Sequence, residues 1–265
     1  MTVTPYSDVN ALLANLQSRI RAILGEKLVG AYLSGSLVTG DFNHDVSDVD
    51  LIVATSTDLD DQECARLAAM HEDVDREYPR WTGRIDVSYV PLAALRESSP
   101  GQRYPVKYPS EPFHWEAAGS DLMITRYILR EKGVALVGPA PRTLVGPVSR
   151  DDLIEAVQQA CREWREYVKD TRSRNGQAFA ILSMCRALYT VIRGEFVSKR
   201  QAALWAKTSE PEWAPVIRQA LAWWQDADLW RNGRIDHDET VPATRHFVNS
   251  AIDRVLGEER PPESP

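Results

Sequence analysis

Cysteine is scarce in this chain. Cys64, Cys161 and Cys185 are odd in number and widely separated over 265 residues, so no disulfide framework is indicated and a reducing cytoplasm is expected. Long hydrophobic runs are missing as well. Every apolar run is under ten residues, far below the roughly 20 that cross a bilayer. The opening Met1-Thr2-Val3-Thr4-Pro5 has neither the charged start nor the apolar stretch of a secretory signal, so no membrane role is expected. Basic charge is short too: 31 Lys and Arg face 38 Asp and Glu, a net charge of −7. The balance is −5 over residues 1–150 and −2 over 151–265. Neither half therefore offers the concentrated basic surface that grips a nucleic-acid backbone, and cationic ligands are favoured over anionic ones. The 14 Gly and 16 Pro are spread out, which excludes collagen-like and disordered chains. What remains is an ordinary globular composition, long enough for one large domain or two modest ones.

The first half alternates helix and strand patterns. Ser7 to Gly25 reads as a helix capped by Ser7, with Leu12, Leu13, Leu16, Ile20 and Ile23 on its apolar stripe. Strands are expected at Leu28 to Leu33, Val49 to Ala54 and Arg84 to Val90, with an exposed charged helix over Asp58 to Glu77. Pro91 to Trp115 reads as irregular, Asp121 to Lys132 as a helix and Ala135 to Val137 as an edge strand. Gly138-Pro139-Ala140-Pro141 and Val145-Gly146-Pro147 form the candidate linker. Beyond it only helices are expected: Asp151 to Asp170, Ala178 to Arg193, Lys199 to Lys207, Glu212 to Gln225 and Thr244 to Leu256. The tryptophans there (Trp205, Trp213, Trp223, Trp224 and Trp230) read mainly as core. The fold class is α+β: a small mixed sheet with helices over residues 1–143, an all-helical bundle over 150–257 and a disordered tail over 258–265.

The chemistry is concentrated in Gly35-Ser36 and Ser47-Asp48-Val49-Asp50. Asp48 and Asp50 lie two apart at the start of a strand, so alternation puts both carboxylates on one face. Two like charges that close are costly unless a cation lies between them. Hard oxygen donors beside a strand suit Mg²⁺. Gly35-Ser36 closes a strand and opens a helix, where backbone N–H groups and a hydroxyl can take phosphate oxygens. A phosphate cradle beside an acid pair points to nucleoside triphosphate chemistry. Asp86, on the next strand, completes a triad if that strand neighbours the first, and could accept a proton from an attacking hydroxyl. Taken singly, Asp-x-Asp is common in turns; the joint order of parts is the specific signal.

That order resembles the signature of the DNA polymerase β-like nucleotidyltransferase superfamily. The second half narrows the likeness: Ile181-Leu182-Ser183-Met184-Cys185-Arg186-Ala187-Leu188-Tyr189-Thr190, Ser198-Lys199 and Ala203-Leu204-Trp205-Ala206 resemble the helical domain of the aminoglycoside 3″-adenylyltransferases, the streptomycin- and spectinomycin-modifying enzymes. The resemblance implies transfer of AMP from ATP to a hydroxyl of an aminoglycoside or aminocyclitol, with release of pyrophosphate and resistance as the outcome. It implies two Mg²⁺ ions held by Asp48, Asp50 and Asp86, with Asp86 as base. It further implies nucleotide contacts from Gly35, Ser36, Ser47, Asp121, Arg186 and Lys199, a helical domain completing the ATP and acceptor cleft, and Trp115 on the substrate side. The partners implied are ATP and a cationic small-molecule acceptor, with a monomer as the default. In two places the chain departs from the family: the base is there a Glu, and Asp86 is one methylene shorter; and the family's substrate-recognising acids and His before the Leu-x-x-Cys-Arg helix are not reproduced around Arg172-Ser173-Arg174-Asn175-Gly176-Gln177-Ala178-Phe179.

Other motifs fail on inspection. Asp41-Phe42-Asn43-His44-Asp45 opens like a calcium loop, but Val46 stands where Gly is required and Ile52 where Glu is required. Gly35 to Gly40 has P-loop spacing with Asp41 in place of Lys. The five histidines form no zinc-ligand pair, and Gly-x-Ser-x-Gly is not present. On sequence two other readings stand: an enzyme of the same fold acting on a metabolite or protein acceptor, and a non-catalytic nucleotide-binding, antitoxin-like regulator.

Overall fold

The computed structural model describes residues 3–97, 101–227, 229 and 235–258, and divides into two compact units, Met1–Val148 and Ser149–Pro265. The expected tail from residue 259 and Trp230 lie outside the described residues. No helix among those described is long and apolar enough to cross a membrane. Cys64, Cys161 and Cys185 are all free and buried; burial pushes the Cys64 thiol up to about 11 and that of Cys161 up to about 12.

In the first unit the elements run α1 (Ser7–Leu24), β1 (Leu28–Leu33), α2 (Gly35–Thr39), β2 (Val49–Thr55), α3 (Asp61–Glu77), β3 (Ile85–Pro91), α4 (Leu92–Arg96), β4 (Arg103–Lys107), β5 (His114–Ala117), α5 (Ser120–Lys132), β6 (Val134–Val137) and α6 (Pro141–Leu144). Six strands form one sheet in the order β5-β4-β3-β2-β1-β6. Only β2 and β3 run parallel; every other neighbouring pair is antiparallel. The crossover between the parallel strands is α3, whose start is fixed by a reciprocal capping box between Asp60 and Glu63. Strand alternation separates two cores. Val49, Leu51 and Val53 of β2 and Ile85, Val87 and Tyr89 of β3 pack with α1 and α3. Ile52, Ala54 and Val90 face the other way, together with Tyr104, Val106 and the buried Leu122 and Leu129 of α5.

The structure corrects several expectations. Tyr6, not Ser7, takes the N-cap position of α1 and supplies no side-chain cap. The helix over Asp61–Glu77 is amphipathic rather than merely exposed, since Cys64, Leu67, Met70, His71 and Val74 are buried. Pro91 to Trp115 contains α4, β4 and the start of β5. The short strands there were obscured because Pro105 stands inside β4 and β5 is only four residues long. The candidate linker is packed, not loose: α6 starts at Pro141, and Leu144 and Val145 are buried in the second core.

Among its described residues the second unit is built on helices: α7 (Arg150–Tyr167), α8 (Arg174–Arg193), α9 (Lys199–Ser209), α10 (Ala214–Gln225) and α11 (Val241–Leu256). Ser149, Ser173 and Ser198 cap the starts of α7, α8 and α9 by accepting the backbone N–H three residues on. The central helix α8 packs against the other four and buries Ile181, Leu182, Met184, Cys185 and Leu188. A buried amide ties its first turn to the chain before α11. Gln177 is fully buried; its amide nitrogen donates to Arg172 O (2.7 Å) and His237 O (3.0 Å), while its oxygen accepts from Thr240 (2.9 Å) and Thr244 (2.7 Å). Gln177→Leu removes four hydrogen bonds at once. We expect it to lower the unfolding free energy of the second unit by about 2–4 kcal/mol, checked by urea titration. A loss below about 0.5 kcal/mol would mean that water replaces the amide.

Candidate active site

The sheet register assembles the acids. Asp50 pairs with Asp86 across the parallel β2–β3 ladder, so both carboxylates lie on one face, with Cα atoms about 4.8 Å apart. Asp48, two residues before Asp50, shares that face by alternation. Asp86 is partly exposed. Burial, and then the charges of Asp50 and Asp48, hold its carboxyl well above the ordinary range; Lys107 opposes the shift.

The turn after β1 meets the same carboxylates. Antiparallel pairing sets Leu33 against Leu51, and Ser34 N–H donates to Asp50 O at 3.1 Å. Gly35 then takes φ +57°, and a Cβ there would overlap the Asp50 carboxylate. Only glycine permits both the left-handed backbone and the close approach. Ser36 follows in α2, which ends at Gly40 in the left-handed region.

The loop into β2 is braced from below. Ser47 Oγ accepts the Asn43 N–H at 2.9 Å, and Ser47 N–H donates to Asn43 O at 2.7 Å. The Ser47 hydroxyl thus closes the turn and keeps its own hydrogen to donate. Arg84, which the sequence reading passed over, donates to His44 O (3.2 Å) and to Ser47 O, and lies 4.6 Å over the Trp81 ring. Its carbonyl accepts the Val49 N–H at 2.9 Å, starting the parallel ladder. The signal for its role was a basic residue immediately before a strand carrying an acid.

Asp121 lies exposed in the first turn of α5, on the Asp86 side of the sheet, where its charge reaches Tyr104 and Tyr108. Trp115 is not brought to the acids. It pairs with Pro105 and packs on the α1/α3 core, the opposite face; the side chains of its neighbours His114 and Glu116 alternate to the acid face. In the second unit, Arg186 of α8 lies 4.4 Å over Phe196. Lys199, at the start of α9, lies 3.7 Å over Phe179 and 4.9 Å over Trp224. Aromatic faces hold both cations without cancelling their charge.

Among the described residues no set of three or more His, Cys, Asp and Glu side chains closes into a ready-made metal cage. The donor chemistry nevertheless fits Mg²⁺: hard oxygens share one face, and burial together with the neighbouring Asp50 and Asp48 charges raises the Asp86 carboxyl above its ordinary range. Mg²⁺ takes only one or two carboxylates and fills its remaining positions with water and phosphate.

A strand–Gly-Ser turn beside carboxylates on parallel strands defines the nucleotidyltransferase class, and the family model of the nucleotidyltransferase domain matches residues 17–87. A second family model, the aminoglycoside adenylyltransferase C-terminal domain, matches residues 143–251. Each half of the chain thus resembles the matching part of an aminoglycoside adenylyltransferase, and the chain is an enzyme with a nucleotidyltransferase domain. It is 27% identical over 268 residues to an aminoglycoside (3″)(9) adenylyltransferase of Shigella flexneri, covering 95% of this chain and 97% of the relative. To a spectinomycin 9-adenylyltransferase of Staphylococcus aureus it is 26% identical over 197 residues, covering 71% and 74%. Its fold matches the crystal structure of the spectinomycin adenyltransferase AAD(9) from Enterococcus faecialis with ATP and spectinomycin (TM-score 0.75, 19% identity), covering 92% of this chain and 99% of that one.

Two outcomes follow from the crowded acids. Asp86 has a folded-state pKa above its unfolded one, so its contribution to stability is lost as pH rises through the folded value. Asp86→Asn removes a like charge. It is expected to raise the melting temperature in chelator at pH 7 by about 3 °C; calorimetry showing a drop would contradict the crowding. Gly35→Ala must displace Asp50 and strain the backbone. It is expected to cost about 1–3 kcal/mol and to leave activity at background.

Proposed function

We propose that the enzyme transfers AMP from Mg-ATP to a hydroxyl of an aminocyclitol or aminoglycoside of the streptomycin or spectinomycin type, releasing pyrophosphate and conferring resistance. The observation that carries this reading is the Asp50–Asp86 pairing level with the Gly35 turn, in a chain with these resemblances. Asp48, Asp50 and Asp86 would hold Mg²⁺, in two ions on the family pattern. When bound, the metal lowers the pKa of the attacking hydroxyl and shields the triphosphate charge.

The residues of the chain then have separate tasks. Backbone groups at Gly35 and Ser36, with the hydroxyls of Ser36 and Ser47, take phosphate oxygens. Asp121, Arg186 and Lys199 contact the nucleotide, the two cations offsetting charge on the leaving pyrophosphate. The acceptor oxygen attacks the α-phosphorus, its O–P bond forms as the bond to pyrophosphate breaks, and its proton passes to Asp86. The family's Glu is here an Asp, so the acceptor hydroxyl must approach β3 about one methylene more closely. Trp115 is not part of this proposal, given its position on the other face.

Mass spectrometry of streptomycin and spectinomycin incubated with enzyme and Mg-ATP tests the reading. The expected result is one added adenylyl group on at least one drug, with equimolar pyrophosphate. With Asp50→Asn, product should fall to background while the cooperative melt persists. Absence of product from both drugs with the wild type would overturn the reading.

A further inference from the structure

At the end of the sheet that carries the acids, the strand order sets out a row. The Gly35 turn follows β1, Asp50 is on β2 and Asp86 on β3. On the far side, β4 pairs antiparallel with β3, Ser88 against Val106 and Val87 against Lys107. Continuing that register by one residue brings Tyr108 level with Asp86. Tyr108 packs against the second core, on the acid-bearing face, and its ring is partly exposed. Across the row, the phosphate-binding turn therefore lies on one flank of Asp86 and an aromatic ring on the other.

The ring is fixed in place. Lys107 Nζ donates to Tyr108 O at 3.0 Å, and the Tyr108 hydroxyl pairs with Tyr104, which is buried. His114 stands edge-on to the ring, 5.4 Å between centroids at 77°, and its Nδ1 lies 2.9 Å from Pro112 O. Burial first, then the neighbouring Tyr104 and the charges of Asp86, Glu116 and Asp121, hold the phenol well above its ordinary pKa. The phenol therefore stays neutral. It can offer a π face and a hydrogen bond, but it does not titrate in the reaction.

We propose that Tyr108 is the acceptor-positioning residue of the active site, its ring seating a cationic alicyclic polyol so that one hydroxyl of that ring meets Asp86. This rests on the adenylyl-transfer reading. A neutral aromatic face in an acidic setting suits such a ligand twice over. The C–H face of a saturated ring packs on the phenol, and an ammonium gains from the π face and the surrounding carboxylates. A nucleotide base is the poorer occupant, because the triphosphate is drawn to the Gly35 flank, on the other side of Asp86.

Steady-state kinetics of Tyr108→Leu, Tyr108→Ala and Tyr108→Phe, with the drug that the wild type adenylylates, test this. Leu and Ala are expected to raise the acceptor KM about tenfold, with the ATP KM within about twofold of wild type, while Phe stays near wild type. Leu keeps the bulk without the ring, so its effect does not depend on a packing defect. An unchanged acceptor KM with Leu and Ala overturns the assignment, and so does a rise confined to the ATP KM, which would make the ring a base-stacking platform. If the wild type adenylylates no drug, the functional reading itself fails and takes this inference with it.

Discussion

The arrangement depends on three carboxylates gathered at one end of the sheet. Parallel pairing of β2 with β3 forces Asp50 and Asp86 onto one face at neighbouring strand positions, and alternation adds Asp48. A sheet has no reason of its own to place three carboxylates together, and hydrophobic residues there would be more stable. On the proposed function, a cation and a triphosphate would supply the compensating charge, and binding would draw on electrostatics already in position. The turn at Gly35 makes the same point sterically, since backbone and carboxylate approach too closely for any side chain.

The supporting parts convert this local strain into a defined geometry. Arg84 and the Ser47–Asn43 turn hold the loop that carries Asp48. Two cores on opposite sides of the sheet fix the strands against sliding, because a one-residue slip would exchange the acid face for the apolar one. In the second unit, Arg186 and Lys199 stand against aromatic rings.

Local signals made part of this legible from sequence. Apolar alternation located β2 and β3, and the start of α9 reads at Lys199; α8 reads only from Ala178, because its polar first turn from Arg174, capped by Ser173, carries no apolar stripe. Asp-x-Asp beside an apolar strand located the acids, because alternation is a property of a single strand. What stayed hidden depended on pairing between distant segments. Whether Asp86 joins Asp50 depends on which strands are neighbours, a non-local fact. The resemblance puts Trp115 on the substrate side, whereas β5 turns it to the opposite face and presents His114 and Glu116, which nothing in its own segment signals. β4 carries a proline and β5 is four residues long, so neither gives a strand pattern without its partner. The segment with α6 read as a linker because its Gly and Pro residues dominate a short helix whose apolar residues count only once the second core is known.

The central claim is that Asp48, Asp50 and Asp86 act together on a cation beside the Gly35 turn. A crystal structure with Mn²⁺ and a non-hydrolysable ATP analogue tests it most directly, because anomalous scattering locates the metal independently of the refined side chains. The account predicts a metal peak bounded by carboxylate oxygens of β2 and β3, at about 2.1 Å in the octahedral style of Mg²⁺ sites, with triphosphate oxygens reaching the Gly35 turn. A metal bound elsewhere, or an Asp86 carboxylate turned away from both metal and nucleotide, would contradict it.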